Sequence, residues 1–251
     1  MLWIGTSWKM NGTLASAREY ATRLRDGLRD GAPAGVQPFI IPPATALATV
    51  AGILGPDSPV LLGVQNAHWA DAGAWTGEIS VPQAADAGAS LVEIGHSERR
   101  EFFAETDQTV NLKVRATLKH GLRPLLCVGE TAEVFAAGGS VDHVLAQVAA
   151  ALDGVDEASR VLLAYEPIWA IGENGREARP EDIEGVFAAL GDAYGGRVEA
   201  ILYGGSVNAR NAAATLAVDG VDGLFVGRSA WQVDGYLDLL SIAAGLVPAR
   251  S

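Results

Sequence analysis

Eight short apolar runs punctuate this sequence, at residues 2–5, 36–41, 60–64, 91–94, 124–128, 161–164, 200–203 and 223–226. They lack the every-other-residue alternation of a half-exposed strand, so they read as strands covered on both faces, the pattern of a parallel sheet. The segments between them are long enough for crossover helices and carry helix punctuation. Ser16 and Glu19 match a capping box, with Ala17, Ala21, Leu24 and Leu28 following on one face. Thr106 caps a helix striped by Val110, Val114 and Leu118 and stopped by Gly121. Pro180 opens a helix carrying Ile183, Val186, Phe187 and Leu190, with Gly191 as its stop. Asn208 caps a segment running to Leu216, and residues 231–240 form the last helix. Eight strand–helix units predict an α/β fold, a closed eight-stranded parallel barrel with helices outside; a doubly wound open sheet is the competing arrangement.

With 251 residues, 49% of them hydrophobic, the chain can bury a large core, and either one barrel-sized domain or two small ones fits. No interdomain linker divides it, so residues 1–251 are expected to form one domain. A net charge of −12 argues against nucleic acid or an anionic membrane as partner, and an anionic substrate then needs a locally positive pocket. Cys127 is the only cysteine, which precludes an internal disulfide and suits a reducing cytoplasm. Residues 1–5 lack a basic leader, and no run approaches the length of a membrane span.

The run at 161–164 leads to an abrupt end on Glu166 and Pro167, followed by Trp169, Ile171 and a glycine-flanked tip at 172–175. An acid at a strand tip beside a hinged apolar segment has the make-up of a lid with a general base at its root. The alternative is a strand-to-loop junction with a solvated acid. In an eight-stranded barrel the active site lies at the carboxyl ends of the strands, so those ends are read together. Ser7 and Lys9 follow the first strand, His96 and Glu98 the fourth and Glu166 the sixth. Gly204, Gly205 and Ser206 follow the seventh, and Gly227, Arg228 and Ser229 the eighth. The last two turns each precede a helix, where exposed N–H groups and the helix dipole favour an anion; the alternative is a pair of tight turns that glycine merely permits. His96 begins a short helix, where it stays neutral and donates a hydrogen bond, or else serves as a capping or surface histidine. Lys9 is a lone cation or a snorkelling side chain, and Cys127 a small core residue.

Trp8-Lys9-Met10-Asn11, Gly77-Glu78-Ile79, Gly95-His96-Ser97-Glu98-Arg99-Arg100, Cys127-Val128-Gly129-Glu130, the stretch 164–172 and Tyr203-Gly204-Gly205-Ser206 resemble triosephosphate isomerase, in order and over the whole chain. The resemblance implies a single (β/α)8 TIM barrel acting as a cofactor-independent aldose–ketose isomerase on a small phosphorylated sugar. It implies Glu166 as the base, His96 as a neutral electrophile, Lys9 as the cation stabilising an enediolate and Glu98 as a supporting acid, roles the family illustrates in general treatments of pKa tuning. It also implies phosphate binding by Gly172, Gly205, Ser206 and Gly227. No metal and no organic cofactor are implied. The loop 66–80, with Trp69 and Trp75, is expected to insert into a second copy next to Lys9 and make a homodimer.

Three departures lie in the site. Ser7 stands where the family usually has asparagine, and lacks its amide. The lid tip Gly172-Glu173-Asn174-Gly175-Arg176-Glu177 differs from the usual Gly-Thr-Gly-Lys-Thr-Ala. Gly227-Arg228 replaces Gly-Gly, and Arg228 either clamps phosphate or points to solvent. With His68-Trp69-Ala70-Asp71 and Gly227-Arg228-Ser229-Ala230-Trp231, these features resemble the branch that isomerises four-carbon ketose phosphates, the erythrulose-phosphate isomerases of erythritol breakdown. The expected substrate is therefore an erythrulose phosphate, with the three-carbon pair of glycolysis as the alternative. A barrel that only binds phosphorylated metabolites, or an aldolase, are alternatives of another class; an aldolase wants a Schiff-base lysine inside the barrel, and no run contains one.

Overall fold

The eight runs become eight strands in the computed structural model, which describes residues 1–156, 158–172 and 175–247. They are β1 (Leu2–Ser7), β2 (Val36–Ile41), β3 (Leu61–Val64), β4 (Leu91–Ile94), β5 (Arg123–Val128), β6 (Leu162–Tyr165), β7 (Ala200–Tyr203) and β8 (Gly223–Val226). Each pairs in parallel with its sequence neighbour, and β8 closes on β1 with Trp3 opposite Gly223. The barrel replaces the open-sheet alternative.

Both faces of every strand are covered, which is why no alternation shows in the sequence. Trp3, Phe39, Leu91, Leu125 and Phe225 fill the lumen, while Ile4, Ile40, Val92 and Leu126 pack outward against the helices. Gly5 is required by the lumen: a Cβ there would stand 1.9 Å from the Phe39 ring.

The helices are α1 (Leu14–Gly27), α2 (Ala44–Leu54), α3 (Val81–Asp86), α4 (Ser97–Phe102), α5 (Asp107–Lys119), α6 (Ala132–Ala136), α7 (Ser140–Ala151), α8 (Pro180–Tyr194), α9 (Ala212–Leu216) and α10 (Val233–Leu246). Thr106 caps α5 and Pro180 opens α8 as expected. Four boundaries differ. In α1 the capping box is Thr13 with Ser16, three residues ahead of the expected pair, because a hydroxyl at each position satisfies the same two N–H groups. Gly191 lies inside α8, which runs on to bury Tyr194 and ends at Gly195. Asn208 caps only a turn, accepting from the Arg210 N–H at 2.9 Å, and α9 starts after Asn211. The last helix begins beyond Trp231, whose indole N–H is held on the Ser7 carbonyl at 2.9 Å, and it continues to Leu246. No described helix is long and apolar enough to cross a membrane.

Candidate active site

The strand ends bring Ser7, Lys9, His96, Glu98, Glu166, Gly172, Gly205, Ser206, Gly227 and Arg228 onto one cavity of about 580 Å³. Lys9 sits in the left-handed region at φ 52°, a conformation that costs a non-glycine residue on the order of 1 kcal/mol. Gln65, directly after β3, holds the Lys9 carbonyl at 2.8 Å through Nε2. The Lys9 Nζ donates to Glu98 Oε1 at 2.6 Å. Burial opposes its charge, but that hydrogen bond and the fields of Glu166, Glu98 and Glu93 outweigh it and hold the ammonium above the ordinary lysine value.

His96 is the N-cap of α4, and its Nδ1 accepts from the Glu98 backbone N–H at 3.2 Å. The ring proton therefore resides on Nε2. Burial first, and then Lys9, lower the His96 pKa to about 4 against the pull of Glu98, so the imidazole is neutral near pH 7. Its Nε2 lies 3.5 Å from Glu166 Oε2, a buried oxygen with no hydrogen-bond partner of its own.

Glu166 leaves β6 with its N–H on the Val128 carbonyl at 2.7 Å. Two glycines make room for it. A Cβ at Gly129 would stand 1.9 Å from the Glu166 carbonyl oxygen, and one at Gly204 would stand 2.5 Å from its Cγ. Burial pushes the carboxyl up to about 8; Lys9 opposes, and Glu93 and Glu98 add to the rise. A buried acid with an open oxygen beside a neutral imidazole donor and an ammonium is suited to taking a proton from carbon.

The segment after Glu166 is anchored at its root. Glu130 Oε1 accepts from Trp169 Nε1 at 2.8 Å, Tyr165 OH at 3.0 Å and Ser140 Oγ at 3.2 Å. The Trp169 ring lies against Phe135 at 4.3 Å, with the Arg176 guanidinium over it at 4.6 Å. Ser206 donates through both N–H and Oγ to the Ala170 carbonyl, at 2.9 and 2.7 Å. Glu173 and Asn174 of the expected lid tip lie outside the described residues.

Arg228 is exposed on the rim of the cavity. Its Nη2 donates to the Gly172 carbonyl at 2.8 Å, joining the β8 turn to the segment after β6. Ser7 Oγ donates at 2.8 Å to Glu93 Oε2, a carboxylate buried in β4. Sequence reasoning passed over Glu93 although the signal was present: it is the only charged residue within the eight runs. Among the described residues, no group of three or more His, Cys, Asp or Glu is placed to hold a metal ion.

The loop 66–80 packs on itself. His68 stacks on Trp69 at 4.0 Å and tilts against Trp75 at 4.2 Å, while Asp71 is clasped at 2.7 Å by both Lys119 and His120. Trp75 and Met10 remain exposed.

The same chain plan recurs in known proteins. An L-erythrulose-1-phosphate isomerase from Mycolicibacterium smegmatis is 59% identical, the alignment covering 100% of this chain and 96% of that one. One from Mesorhizobium japonicum is 49% identical over 98% of each chain. The crystal structure of triosephosphate isomerase from Bartonella henselae superposes with a TM-score of 0.84 at 34% identity, covering 96% of this chain and 98% of that one. The triosephosphate isomerase family profile matches residues 2–243, and with barrel, rim and relatives in agreement the chain belongs to the triosephosphate isomerase family.

Proposed function

We propose that this isomerase acts on a four-carbon phosphorylated ketose, L-erythrulose 1-phosphate, moving a proton between adjacent carbons through an enediolate. The observation that carries the chemistry is the open Glu166 Oε2 at 3.5 Å from a neutral His96 Nε2–H, with Lys9 on the same cavity. The two L-erythrulose-1-phosphate isomerases at 59% and 49% identity support the substrate.

Glu166 takes the proton from the carbon next to the carbonyl, on the side away from the phosphate. The C–H electron pair becomes a C=C bond and the carbonyl oxygen becomes an enediolate oxygen. That charge is met by the His96 Nε2–H and the Lys9 ammonium, which Glu98 positions. Glu166 then returns the proton to the neighbouring carbon, while His96 Nε2 passes its proton to the enediolate oxygen there and takes up the hydroxyl proton of the first carbon, whose oxygen becomes the new carbonyl. In a three-carbon ketose phosphate the first carbon is terminal, and the product is an aldose. In a 1-phosphorylated tetrulose it is C3, so the same transfer moves the carbonyl from C2 to C3. Gly172, Gly205, Ser206, Gly227 and Arg228 take the phosphate at the opposite side of the cavity, through backbone N–H groups, the Ser206 hydroxyl and the guanidinium.

The enzyme works in the cytoplasm as a homodimer, with loop 66–80 seated on a second copy next to Lys9. Exposed Trp75 and the exposed Met10 beside Lys9 support that contact; a sedimenting monomer would remove it. The substrate is tested by kcat/KM for L-erythrulose 1-phosphate, dihydroxyacetone phosphate and glyceraldehyde 3-phosphate on one preparation freed of host isomerase. A large four-carbon preference is expected. Efficient three-carbon turnover with poor four-carbon turnover would instead make this an ordinary triosephosphate isomerase.

A further inference from the structure

Glu93 is the third residue of β4, on the same face as Leu91 and turned into the apolar lumen. It is 3% exposed, and it does not line the cavity. A carboxyl so placed is costly, because burial disfavours its charge and pushes its pKa up to about 7. Nor is it the contact partner of Lys9, whose ammonium is bonded to Glu98. Its hydrogen bond comes from the Ser7 hydroxyl at 2.8 Å, and Ser7 does line the cavity.

A serine hydroxyl has one proton and two lone pairs. With the proton given to Glu93, what remains for a ligand is a lone pair. We propose that Glu93 fixes Ser7 as a hydrogen-bond acceptor toward the cavity, and that this acceptor selects the hydroxymethyl group that a four-carbon ketose phosphate carries beyond the reacting carbon and a three-carbon one lacks. This rests on the four-carbon substrate proposed above. Asparagine, the family's usual residue at position 7, would offer amide protons as well and would fill the space the extra carbon needs. A substrate without the hydroxyl leaves the lone pair unpaired in a closed site, the situation in which an enzyme discriminates most strongly. Glu93 is thus a positioning residue, acting through Ser7.

The test compares Ser7→Ala, Glu93→Leu and the double variant, each by kcat/KM on L-erythrulose 1-phosphate and on dihydroxyacetone phosphate. Leucine fills the lumen without a charge, so folding is retained. Each single variant is expected to lower the four- to three-carbon ratio of kcat/KM about ten-fold. The double variant should fall no further than either single one, since one residue acts through the other. Equal losses on both substrates, an unchanged ratio in Glu93→Leu, or losses that multiply in the double variant would overturn the inference and leave the substrate reading standing. A parent enzyme without four-carbon preference overturns the substrate reading and this inference with it, and that result is read on the parent alone.

Discussion

Replacing Glu93 by leucine should make the protein more stable at pH 8 and flatten the dependence of its stability on pH. Burial raises this carboxyl from 4.5 to about 7, against the pull of the Ser7 hydrogen bond and of Lys9. The folded state therefore holds the proton more tightly than the unfolded one. The corresponding stability is fully present below about 4.5 and is lost as the pH climbs through about 7. The gap between those values, at about 1.4 kcal/mol per pH unit, comes to on the order of 3 kcal/mol. Leucine binds no proton and adds an apolar side chain to a lumen already lined by Leu91, Leu125 and Phe225. Glu166 contributes a slope of the same sign that persists to about 8, and because the Glu93 charge adds to that rise, its share shrinks in the variant and works in the same direction. Urea unfolding at one protein concentration, followed by circular dichroism at pH 5 and pH 8, measures the drop for each protein. The parent should lose about 2–3 kcal/mol more than the variant between those two pH values. An equal drop, or a variant less stable than the parent at pH 8, would refute the argument that burial dominates at this site.

Three further outcomes follow from the geometry around Glu166. Glu166→Gln removes the base without changing its shape, so kcat should fall by roughly 10³ with the circular dichroism spectrum unchanged; unchanged turnover would revive the non-catalytic binding barrel. Because Glu166 must be ionised to act and is raised to about 8, kcat/KM should climb with pH up to about 8. A pH–rate profile already level above the ordinary carboxylate range would contradict that. Gly204→Ala places a Cβ 2.5 Å from Glu166 Cγ and forces the carboxylate aside. Its kcat should drop about 10- to 100-fold with little change in melting temperature, and full activity would mean that this close fit is not needed.

The barrel was legible because a parallel strand buried on both faces leaves a plain trace, a short apolar run between helix caps. Four of the eight runs, 36–41, 91–94, 200–203 and 223–226, coincide with the strands, and the others shift by one or two residues. Helix ends were less legible, since Ser16 and Gly191 are the residue types of a cap and a stop yet lie inside α1 and α8. Packing of Ala17 and Tyr194 against the barrel decides those ends. All ten expected site residues reach one cavity, because a barrel sends every strand end to the same rim. What single positions could not reveal was pairing between strands far apart in sequence. Ser7 and Glu93 are 86 residues apart, and Arg228 and Gly172 are 56 apart. A hydrogen bond of that kind exists only once β1 and β4, or the ends of β6 and β8, have been brought to one rim.

Ser206 shows how the anion site and the segment above it are linked. Its N–H and its hydroxyl both donate to the Ala170 carbonyl, so a phosphate that takes those protons leaves Ala170 without two of its donors. Ala170 ends the short turn Ile168–Ala170, which also carries Trp169. Binding must therefore disturb the Trp169 indole, which packs against Phe135 and the Arg176 guanidinium with its N–H on Glu130. Inorganic phosphate should produce a saturable change in tryptophan emission that is absent in Trp169→Phe. The change should need several-fold more phosphate in Ser206→Ala, which keeps one of the two donors. Calorimetric phosphate binding with silent Trp169 emission would show that the anion is held without Ser206, by the turn at Gly227 and the guanidinium of Arg228, and that the link between anion and lid root does not exist.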